Sequence, residues 1–130
     1  MIIINTNKNN KILIIEDDLY ILKIYTNKLK MNQFDVSFAT TGEEGLHKAS
    51  TEKPQLILLD LMLPGVDGFQ VLADLKKKVD THDIPVIILS NLGQQSDIER
   101  GKELGATDYL VKANLSLIHL VDKVKKYLSH

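Results

Sequence analysis

Five short apolar runs alternate with five segments of helical periodicity, and this alternation constrains the fold more than any other feature of the 130-residue sequence. Such alternation is typical of α/β folds with a parallel sheet covered by helices. A chain of this length fits one compact domain. The predicted strands are residues 11–15, 34–39, 55–59, 85–89 and 107–111.

The composition of the predicted strands indicates their places in the sheet. The first, third and fourth runs consist almost entirely of Ile, Leu and Val, as expected of strands that helices cover on both faces. We therefore place these three runs in the middle of the sheet. In the second run Phe34, Val36 and Phe38 alternate with polar residues, and this period of two predicts a half-exposed strand at an edge.

Several residues mark the ends of the predicted helices. Thr41 and Glu44 have the spacing of a capping box that opens the second helix, and Asp67 can cap the third. Gly105 is placed to end the fourth helix, and Asn114 could cap the fifth. The apolar stripes of the third and fifth helices are Phe69, Leu72, Leu75 and Val79, and Leu117, Val121, Val124 and Leu128.

Composition and charge narrow the possible partners and location. A net charge of -1 gives no electrostatic reason to expect nucleic acid or an anionic membrane as a partner. Without cysteine the chain can form neither disulfides nor thiolate metal sites, which is compatible with a reducing cytoplasm. No run approaches the roughly 20 apolar residues of a membrane span, and the first residues lack the features of a secretion signal. We expect a cytoplasmic protein with a short polar tail over residues 1–10 and one domain over residues 11–130.

Acidic side chains follow two of the strands predicted for the middle of the sheet. Glu16, Asp17 and Asp18 come directly after the first strand, and Asp60 comes directly after the third. The carboxyl ends of parallel strands meet at one edge of the sheet, so these acids should lie close together. Carboxylates a few ångströms apart repel by roughly 4 kcal/mol per pair at an effective dielectric constant near 20, so a cation should offset them. With oxygen ligands only, that cation should be Mg²⁺ or a similar hard ion.

The fourth and fifth strands end in a hydroxyl and an amine. Ser90 follows the fourth run and Lys112 follows the fifth. With Asp60 they supply what phosphoryl transfer requires, which is a carboxylate nucleophile, a metal site and two donors for phosphoryl oxygens. A single acid at a strand end is more often a helix cap than a ligand, and Asp17 or Asp18 could simply cap the first helix. Capping does not explain residues of these types at four strand ends.

Four segments of the sequence resemble the receiver domain of two-component response regulators. They are ILIIEDD at residues 12–18, LLDLMLPGVDG at 58–68, VIILS at 86–90 and DYLVK at 108–112. They occur in the order and at the spacing of that family, and the resemblance covers about residues 11–129. It implies a doubly wound α/β fold of the flavodoxin-like (βα)5 type, with five parallel strands in the order 2-1-3-4-5.

The resemblance implies a role for each acid of the site. Asp60 would be the phosphorylated aspartate, Asp17 a direct metal ligand, and Glu16 a ligand directly or through water. Met62 would offer its backbone carbonyl to the metal, which would be Mg²⁺ or Mn²⁺. Asp18 fits a helix cap better than a metal ligand.

The resemblance also implies a switch. Ser90 and Lys112 would each bind a phosphoryl oxygen. Tyr109 occupies the position of an aromatic residue that turns inward when the hydroxyl residue moves toward the phosphoryl group. Ordinary packing on an edge strand would explain Tyr109 equally well.

The phosphoryl donor implied by the resemblance is a phosphohistidine on a sensor histidine kinase or a histidine phosphotransfer protein. The chain would be a signalling phosphoacceptor rather than an enzyme, catalysing only its own phosphorylation and dephosphorylation. No output domain is expected after the fifth helix, so an unknown downstream protein would read a surface change, usually on the fourth helix, fifth strand and fifth helix. We expect no direct binding of nucleic acid and no membrane insertion. The sequence identifies neither the kinase nor the downstream partner, and it leaves the oligomeric state open.

One departure from the family lies beside Lys112. The family usually has proline after this lysine, in a cis bond, whereas Ala113 stands here. A cis bond costs about 2.5 to 4 kcal/mol before a residue other than proline. We therefore predict a trans Lys112–Ala113 bond and a re-routed loop over residues 113–115, with the ammonium of Lys112 still reaching the acidic pocket.

A second departure concerns two apolar side chains beside the expected site. Met62 stands two residues after Asp60, and Leu92 stands two residues after Ser90. Both positions flank the route of a water that would attack the phosphoaspartate, and neither side chain can orient it. Self-dephosphorylation should therefore be slow for the family.

Three other functions share parts of this pattern. A phosphatase of the haloacid dehalogenase type needs a second acid two residues after the nucleophile, where Met62 stands. A flavodoxin-like FMN binder needs a phosphate loop rich in glycine and hydroxyls, whereas the first loop here is acidic. A receiver-like interaction module that is never phosphorylated is the third alternative, and the complete set of acids, hydroxyl and lysine argues against it.

Overall fold

Strands and helices alternate along the chain in the computed structural model, which describes residues 10–128. The strands of the main sheet are β1 (Lys11–Ile15), β2 (Asp35–Ala39), β3 (Leu56–Leu59), β4 (Val86–Ser90) and β5 (Asp108–Val111). The helices are α1 (Leu19–Met31), α2 (Gly42–Glu52), α3 (Gly68–Lys77), α4 (Gln95–Glu103) and α5 (Leu117–Leu128). Each predicted strand agrees with the observed one to within one residue at either end.

The five strands form one parallel sheet in the order β2-β1-β3-β4-β5. Between β1 and β3, for example, Ile12 pairs with Leu56 and Ile15 with Leu59. The predicted α/β class and the strand order 2-1-3-4-5 are confirmed. The central places of β1, β3 and β4 and the edge position of β2 are confirmed as well. The prediction succeeds because a strand that helices cover on both faces is apolar throughout.

Alternation along the strands divides the core between the two faces of the sheet. Leu13 and Ile15 of β1 pack in the cluster that includes residues of α2 and α3. Ile12 and Ile14 pack in the other cluster, which includes residues of α1 and α5. Burial of such a side chain stabilises the fold by roughly 1.5 to 3 kcal/mol, so these two apolar layers contribute much of its stability.

The predicted helix ends are confirmed at three positions. The backbone N–H of Glu44 donates to the Thr41 hydroxyl over 3.1 Å at the start of α2. At the start of α3 the Asp67 carboxylate accepts a hydrogen bond from the N–H of Phe69 over 2.9 Å. Gly105 follows α4 with a φ of 108°, a conformation that residues with a side chain rarely adopt.

The predicted cap of the fifth helix is wrong. Asn114 lies in a 3₁₀ turn that follows β5, and α5 begins only at Leu117. The hydroxyl of Ser116 accepts a hydrogen bond from the N–H of His119 over 3.1 Å and caps this helix instead. The turn closes when the N–H of Leu115 donates to the carbonyl of the first turn residue over 3.1 Å, and this closure delays the start of α5.

The predicted place of Val79 is also wrong. Its spacing puts it on the apolar stripe of α3, but the helix ends two residues earlier and Val79 is 89% exposed. The backbone of Lys78 is extended, with a ψ of 137°, so the chain leaves the helix before the stripe is complete. The other stripe residues are buried as predicted, and they are Phe69, Leu72 and Leu75.

The predicted polar tail lies outside the described residues apart from Asn10. The side-chain amide of Asn10 donates to the backbone carbonyl of Gln33 over 2.9 Å. The predicted domain limits therefore stay a prediction. Within residues 10–128, none of the helices combines the length and the apolar character that crossing a bilayer requires.

A hydrogen bond and an ion pair among three polar side chains connect α5 to β5. The Tyr127 hydroxyl donates to Oδ2 of Asp108 over 2.7 Å, and the Lys123 ammonium lies 3.4 Å from the same oxygen. Burial alone would raise the pKa of Asp108, but the hydrogen bonds from Tyr127 and the backbone of Tyr109, together with Lys123, hold it below its ordinary value of 3.8. The bond to Asp108, helped by burial, raises the pKa of Tyr127 to about 12.

Replacing Tyr127 with phenylalanine should lower the free energy of unfolding by about 1 kcal/mol near neutral pH, because it removes a hydrogen bond to a carboxylate. Since the folded-state pKa of Asp108 is depressed, the stability from this contact is present above its ordinary value of 3.8 and is lost as pH falls through the lower folded value. Chemical denaturation of wild type and Tyr127→Phe at neutral and acidic pH measures both effects. Tyr20→Phe is the control, since the Tyr20 side chain is 76% exposed and its change should leave stability as it is. If wild type and Tyr127→Phe differ in stability by the same amount in acid as at neutral pH, the hydrogen bond to ionised Asp108 is not the cause.

Candidate functional site

The carboxyl ends of four neighbouring strands bring four polar side chains together. Glu16 follows β1, Asp60 follows β3, Ser90 ends β4 and Lys112 follows β5. Three of them are buried, with exposures of 2% for Glu16, 6% for Asp60 and 0% for Ser90. The strand order makes this convergence possible, because β1 and β4 both pair with β3 and β5 pairs with β4.

The ammonium of Lys112 joins two of the acids. Its Nζ contacts Oε1 of Glu16 in an ion pair and lies 3.1 Å from Oδ2 of Asp60. The bond between Lys112 and Ala113 is trans as predicted, since none of the peptide bonds in the described part of the chain is cis. The loop after Lys112 takes the form of a 3₁₀ turn, and the lysine side chain still reaches the acidic pocket.

Burial and the neighbouring charges shift the pKa values of this pair. Burial raises the pKa of Glu16 to about 7, and the charge of Asp60 adds to the rise, whereas the bonds from Lys112 and from the N–H of Asp18 oppose it. Burial would lower the pKa of Lys112, but the bonds and charges of Glu16 and Asp60 outweigh it and raise this pKa above its ordinary value. The lysine is therefore firmly protonated and neutralises part of the acidic charge.

Three carboxylates at the site could hold a metal ion together. Glu16, Asp17 and Asp60 each offer an oxygen, and these oxygens all lie within 4.8 Å of one another. Against these three negative charges stands the single positive charge of Lys112, which leaves a formal charge of -2 that one divalent cation would balance. The donor set is all oxygen and Asp17 is exposed, so the residues fit a hard cation that enters from solvent. The role predicted for the Met62 carbonyl stays a prediction.

Asp18 caps the start of α1. Its Oδ1 accepts hydrogen bonds from the N–H groups of Tyr20 over 3.0 Å and Ile21 over 3.2 Å. The prediction that Asp18 caps α1 is confirmed. The cap fixes the start of the helix directly after Asp17, which keeps the exposed acid beside the pocket.

The segment after Asp60 folds into a short antiparallel hairpin. Met62–Leu63 pairs with Val66–Asp67, and Gly65 turns the chain with a φ of 73°. The N–H of Met62 donates to Oδ1 of Asp60 over 3.1 Å, which orients the carboxylate. Sequence analysis did not predict this hairpin, because strands of two residues carry no periodicity.

Gly68 is a second feature of this segment that sequence analysis missed. A Cβ atom at Gly68 would lie 2.3 Å from the Cα atom of Leu61, closer than any side chain allows. The N–H of Gly68 donates to the carbonyl of Leu61 over 3.1 Å and closes the segment. The glycine after the helix-capping Asp67 is the only signal for this in the sequence, and it does not reveal the contact with Leu61.

Ser90 and Tyr109 meet through the backbone of Leu92. The N–H of Leu92 donates to the hydroxyl oxygen of Ser90 over 3.2 Å, and the Tyr109 hydroxyl donates to the Leu92 carbonyl. The Tyr109 ring is buried and points inward. The structure thus places Tyr109 beside the loop that follows Ser90, while its role as a switch stays a prediction.

Tyr25 of α1 is a neighbour of the site that sequence analysis did not identify. Burial raises the pKa of its phenol above the ordinary value, with Lys112 opposing and Glu16 and Asp60 adding to the rise. The charges of Glu16, Asp60 and Lys112 therefore act on a residue of α1. Periodicity could not predict this, because the same spacing describes any buried helix position.

The sequence of this chain is similar to the sequences of known proteins. Residues 12–125 match the family described as the response regulator receiver domain. The DNA-binding dual master transcriptional regulator RpaA of Synechocystis sp. is 46% identical over 102 residues, which make up 78% of this chain and 42% of that protein. The alkaline phosphatase synthesis transcriptional regulatory protein PhoP of Bacillus subtilis is 40% identical over 104 residues, or 80% of this chain and 42% of that protein. The chain thus spans about two fifths of the length of these curated relatives.

Solved structures show the same fold. The CheY-like receiver domain protein of Methanospirillum hungatei superimposes with a TM-score of 0.85 at 28% identity, covering 92% of this chain and 93% of that one. The BeF3-activated receiver domain of Klebsiella pneumoniae RstA gives a TM-score of 0.84 at 30% identity, covering 93% and 100%. With the family match extending over most of the chain, we conclude that this protein belongs to the response regulator receiver domain family.

Proposed function

We propose that this receiver domain accepts a phosphoryl group on Asp60 from a phosphohistidine of a sensor histidine kinase or a histidine phosphotransfer protein, in a reaction that requires Mg²⁺ or Mn²⁺. The observation that carries the proposal is the buried Asp60 carboxylate, 3.1 Å from the Lys112 ammonium and within reach of two further acids. Membership of the receiver domain family supports it. The solved receiver domain of Klebsiella pneumoniae RstA is BeF3-activated, and its similarity to this chain gives further support.

In the proposed reaction a carboxylate oxygen of Asp60 attacks the phosphorus atom of the phosphohistidine. A new O–P bond forms while the N–P bond breaks, and the electron pair of the broken bond leaves with the imidazole nitrogen. The products are an acyl phosphate on Asp60 and a free histidine on the donor. The hydrogen bond from the N–H of Met62 holds the carboxylate in one orientation before the attack.

Glu16, Asp17 and Asp60 would hold the metal ion, with the backbone carbonyl of Met62 as a further donor. When bound, the ion supplies positive charge against the carboxylates and the phosphoryl oxygens. The hydrogen bond from the N–H of Asp18 orients Glu16 toward the pocket. Exposed Asp17 keeps the pocket open to solvent on one side.

Lys112 and Ser90 would position the transferred phosphoryl group. The lysine ammonium already lies between Glu16 and Asp60, so its flexible stem can carry it to a phosphoryl oxygen without leaving the pocket. The hydroxyl oxygen of Ser90 accepts a hydrogen bond from the N–H of Leu92, and its proton would turn to a second phosphoryl oxygen. Lys112 would neutralise charge on the product, and Ser90 would donate a hydrogen bond to it.

The signal would leave the domain through a surface change that a partner protein reads. Tyr109 lies on β5 and contacts the loop after Ser90, so it is placed to pass a change at the hydroxyl to β5 and the neighbouring α4. RpaA and PhoP are named as transcriptional regulators, and this chain matches about two fifths of each. The net charge of -1 favours a protein partner over nucleic acid for this chain.

Incubation with acetyl phosphate and Mg²⁺ should add one phosphoryl group to the wild-type chain but none to Asp60→Asn, which removes the nucleophile and keeps the shape of the side chain. Intact mass spectrometry measures the adduct. Asp83→Asn is the control, because the Asp83 side chain is 94% exposed and its replacement should leave labelling unchanged. An unmodified wild type would favour the unphosphorylated interaction module, and a labelled Asp60→Asn would move the site elsewhere.

Asp17→Asn should weaken Mg²⁺ binding by roughly tenfold or more, since even indirect partners of a metal ion change affinity by that factor. Asp18→Asn is the matched control one residue away, because Asp18 caps α1 and its oxygen is not part of the cluster. Titration calorimetry of both variants with Mg²⁺ gives the comparison. Equal affinities for the two variants would remove Asp17 from the ligand set.

The phosphoaspartate should decay slowly, and Met62→Asn or Leu92→Glu should accelerate its hydrolysis several-fold by providing a side chain that orients water. Met62 is the cleaner test because its side chain is 56% exposed, whereas Leu92 packs partly against the core. The decay is followed by intact mass after removal of the phosphodonor. Val79→Asn, a similar change at an exposed position outside the helices, should leave the decay rate unchanged. Equal rates in all variants would show that side-chain polarity at these positions does not control water access.

A further inference from the structure

Gly101 occupies a buried position in α4 where a side chain would crowd its neighbours. A Cβ atom there would lie 2.7 Å from Cδ1 of Ile88 and 3.1 Å from Cδ2 of the Tyr109 ring. Glycine is unfavourable in the interior of a helix, so its presence in the nine-residue α4 calls for a reason from packing. The geometry supplies one, because a Cβ atom would overlap with Ile88 and would press on the inward ring.

The inward ring belongs to a chain of contacts that ends at Ser90. The Tyr109 hydroxyl donates to the carbonyl of Leu92, and the N–H of Leu92 donates to the hydroxyl oxygen of Ser90 over 3.2 Å. The ring therefore fixes one residue of the loop between β4 and α4. That residue in turn orients the hydroxyl that the proposed function assigns to a phosphoryl oxygen.

The helix that carries Gly101 also contacts the start of α3. The guanidinium of Arg100 stacks on the ring of Phe69 at 4.2 Å and lies 3.8 Å from Oδ2 of Asp67, which caps α3. A methyl group at position 101 would press against Ile88 and Tyr109. Ile88 can turn its terminal methyl group, whereas the planar ring of Tyr109 can make room only by moving as a whole.

We propose that Gly101 is a positioning residue for the phosphoacceptor site: its missing side chain leaves the space for the inward ring of Tyr109, and Tyr109 in that position holds Leu92 and the Ser90 hydroxyl in place. This inference rests on the proposed function of Ser90. It adds that α4 provides the space that the inward ring needs.

The test compares Gly101→Ala with Gly45→Ala. Gly45 is also a buried glycine inside a helix, and a Cβ atom there would lie 2.5 Å from Cδ1 of Ile15, with no aromatic ring among its nearest contacts. Both variants should lose stability, but only Gly101→Ala should slow phosphorylation by acetyl phosphate and Mg²⁺, by roughly tenfold for a displaced reactive group. NMR of chains with ¹³C-labelled tyrosine should show the Tyr109 ring becoming exposed in Gly101→Ala and unchanged in Gly45→Ala.

Two further variants separate the ring contact from general damage. Ile88→Val removes the methyl group that a Cβ at position 101 would meet, so Gly101→Ala combined with Ile88→Val keeps only the contact with the ring and is the variant to use if Gly101→Ala alone fails to fold. It should still slow phosphorylation relative to Ile88→Val. In a Tyr109→Ala background, Gly101→Ala should have no further effect, because the ring that it displaces is gone.

The outcomes of these experiments are distinct. If wild type takes no phosphoryl group, the proposed function fails, and the NMR comparison still decides whether Gly101 holds the ring inward. An unmoved Tyr109 resonance in Gly101→Ala, or equal slowing by this substitution with and without the ring, would overturn the inference. An exposed ring together with slowing that disappears in the Tyr109→Ala background would support it.

Discussion

The ammonium of Lys112, set between the carboxylates of Glu16 and Asp60, is the interaction on which the site depends. Two buried carboxylates at one sheet edge would repel by roughly 4 kcal/mol at an effective dielectric constant near 20, in addition to the cost of removing them from water. The lysine offsets this repulsion from β5, two strands away from Asp60. The raised pKa of Glu16 shows that one ammonium does not fully offset burial and the charge of the neighbouring carboxylate.

This arrangement explains why the strand order matters to function. Placing β3 between β1 and β4 puts Asp60 at the centre of the edge, with acids on one side and the hydroxyl of Ser90 on the other. Each side chain comes from a different segment of the chain, and only a parallel sheet delivers all of them to the same edge. The helix caps Asp18 and Asp67 then fix the two loops that leave the acidic strands.

Much of this could be predicted from the sequence because it rests on local patterns. Central strands are apolar throughout, caps have a fixed spacing, and polar residues at strand ends converge once the sheet is known to be parallel. The predictions for Asn114 and Val79 are wrong because a 3₁₀ turn and an early helix end depend on backbone hydrogen bonds that periodicity does not record. The contacts of Gly68 with Leu61 and of Gly101 with Tyr109 could not be predicted for another reason, since each depends on how closely two elements approach in the folded chain.

The division of the core between the two faces of the sheet has a consequence for how such a domain can diversify. Tyr109 and Phe69 pack on one face, whereas the residues of α1 and α5 pack on the other. The ring of Tyr109, to which the proposed function assigns the switch, thus packs in one layer, and the layer of α1 and α5 lies across the sheet from it. Core substitutions in the layer of α1 and α5 can therefore change the stability of the domain while the packing around Tyr109 is kept, so that stability and the proposed switching can evolve separately.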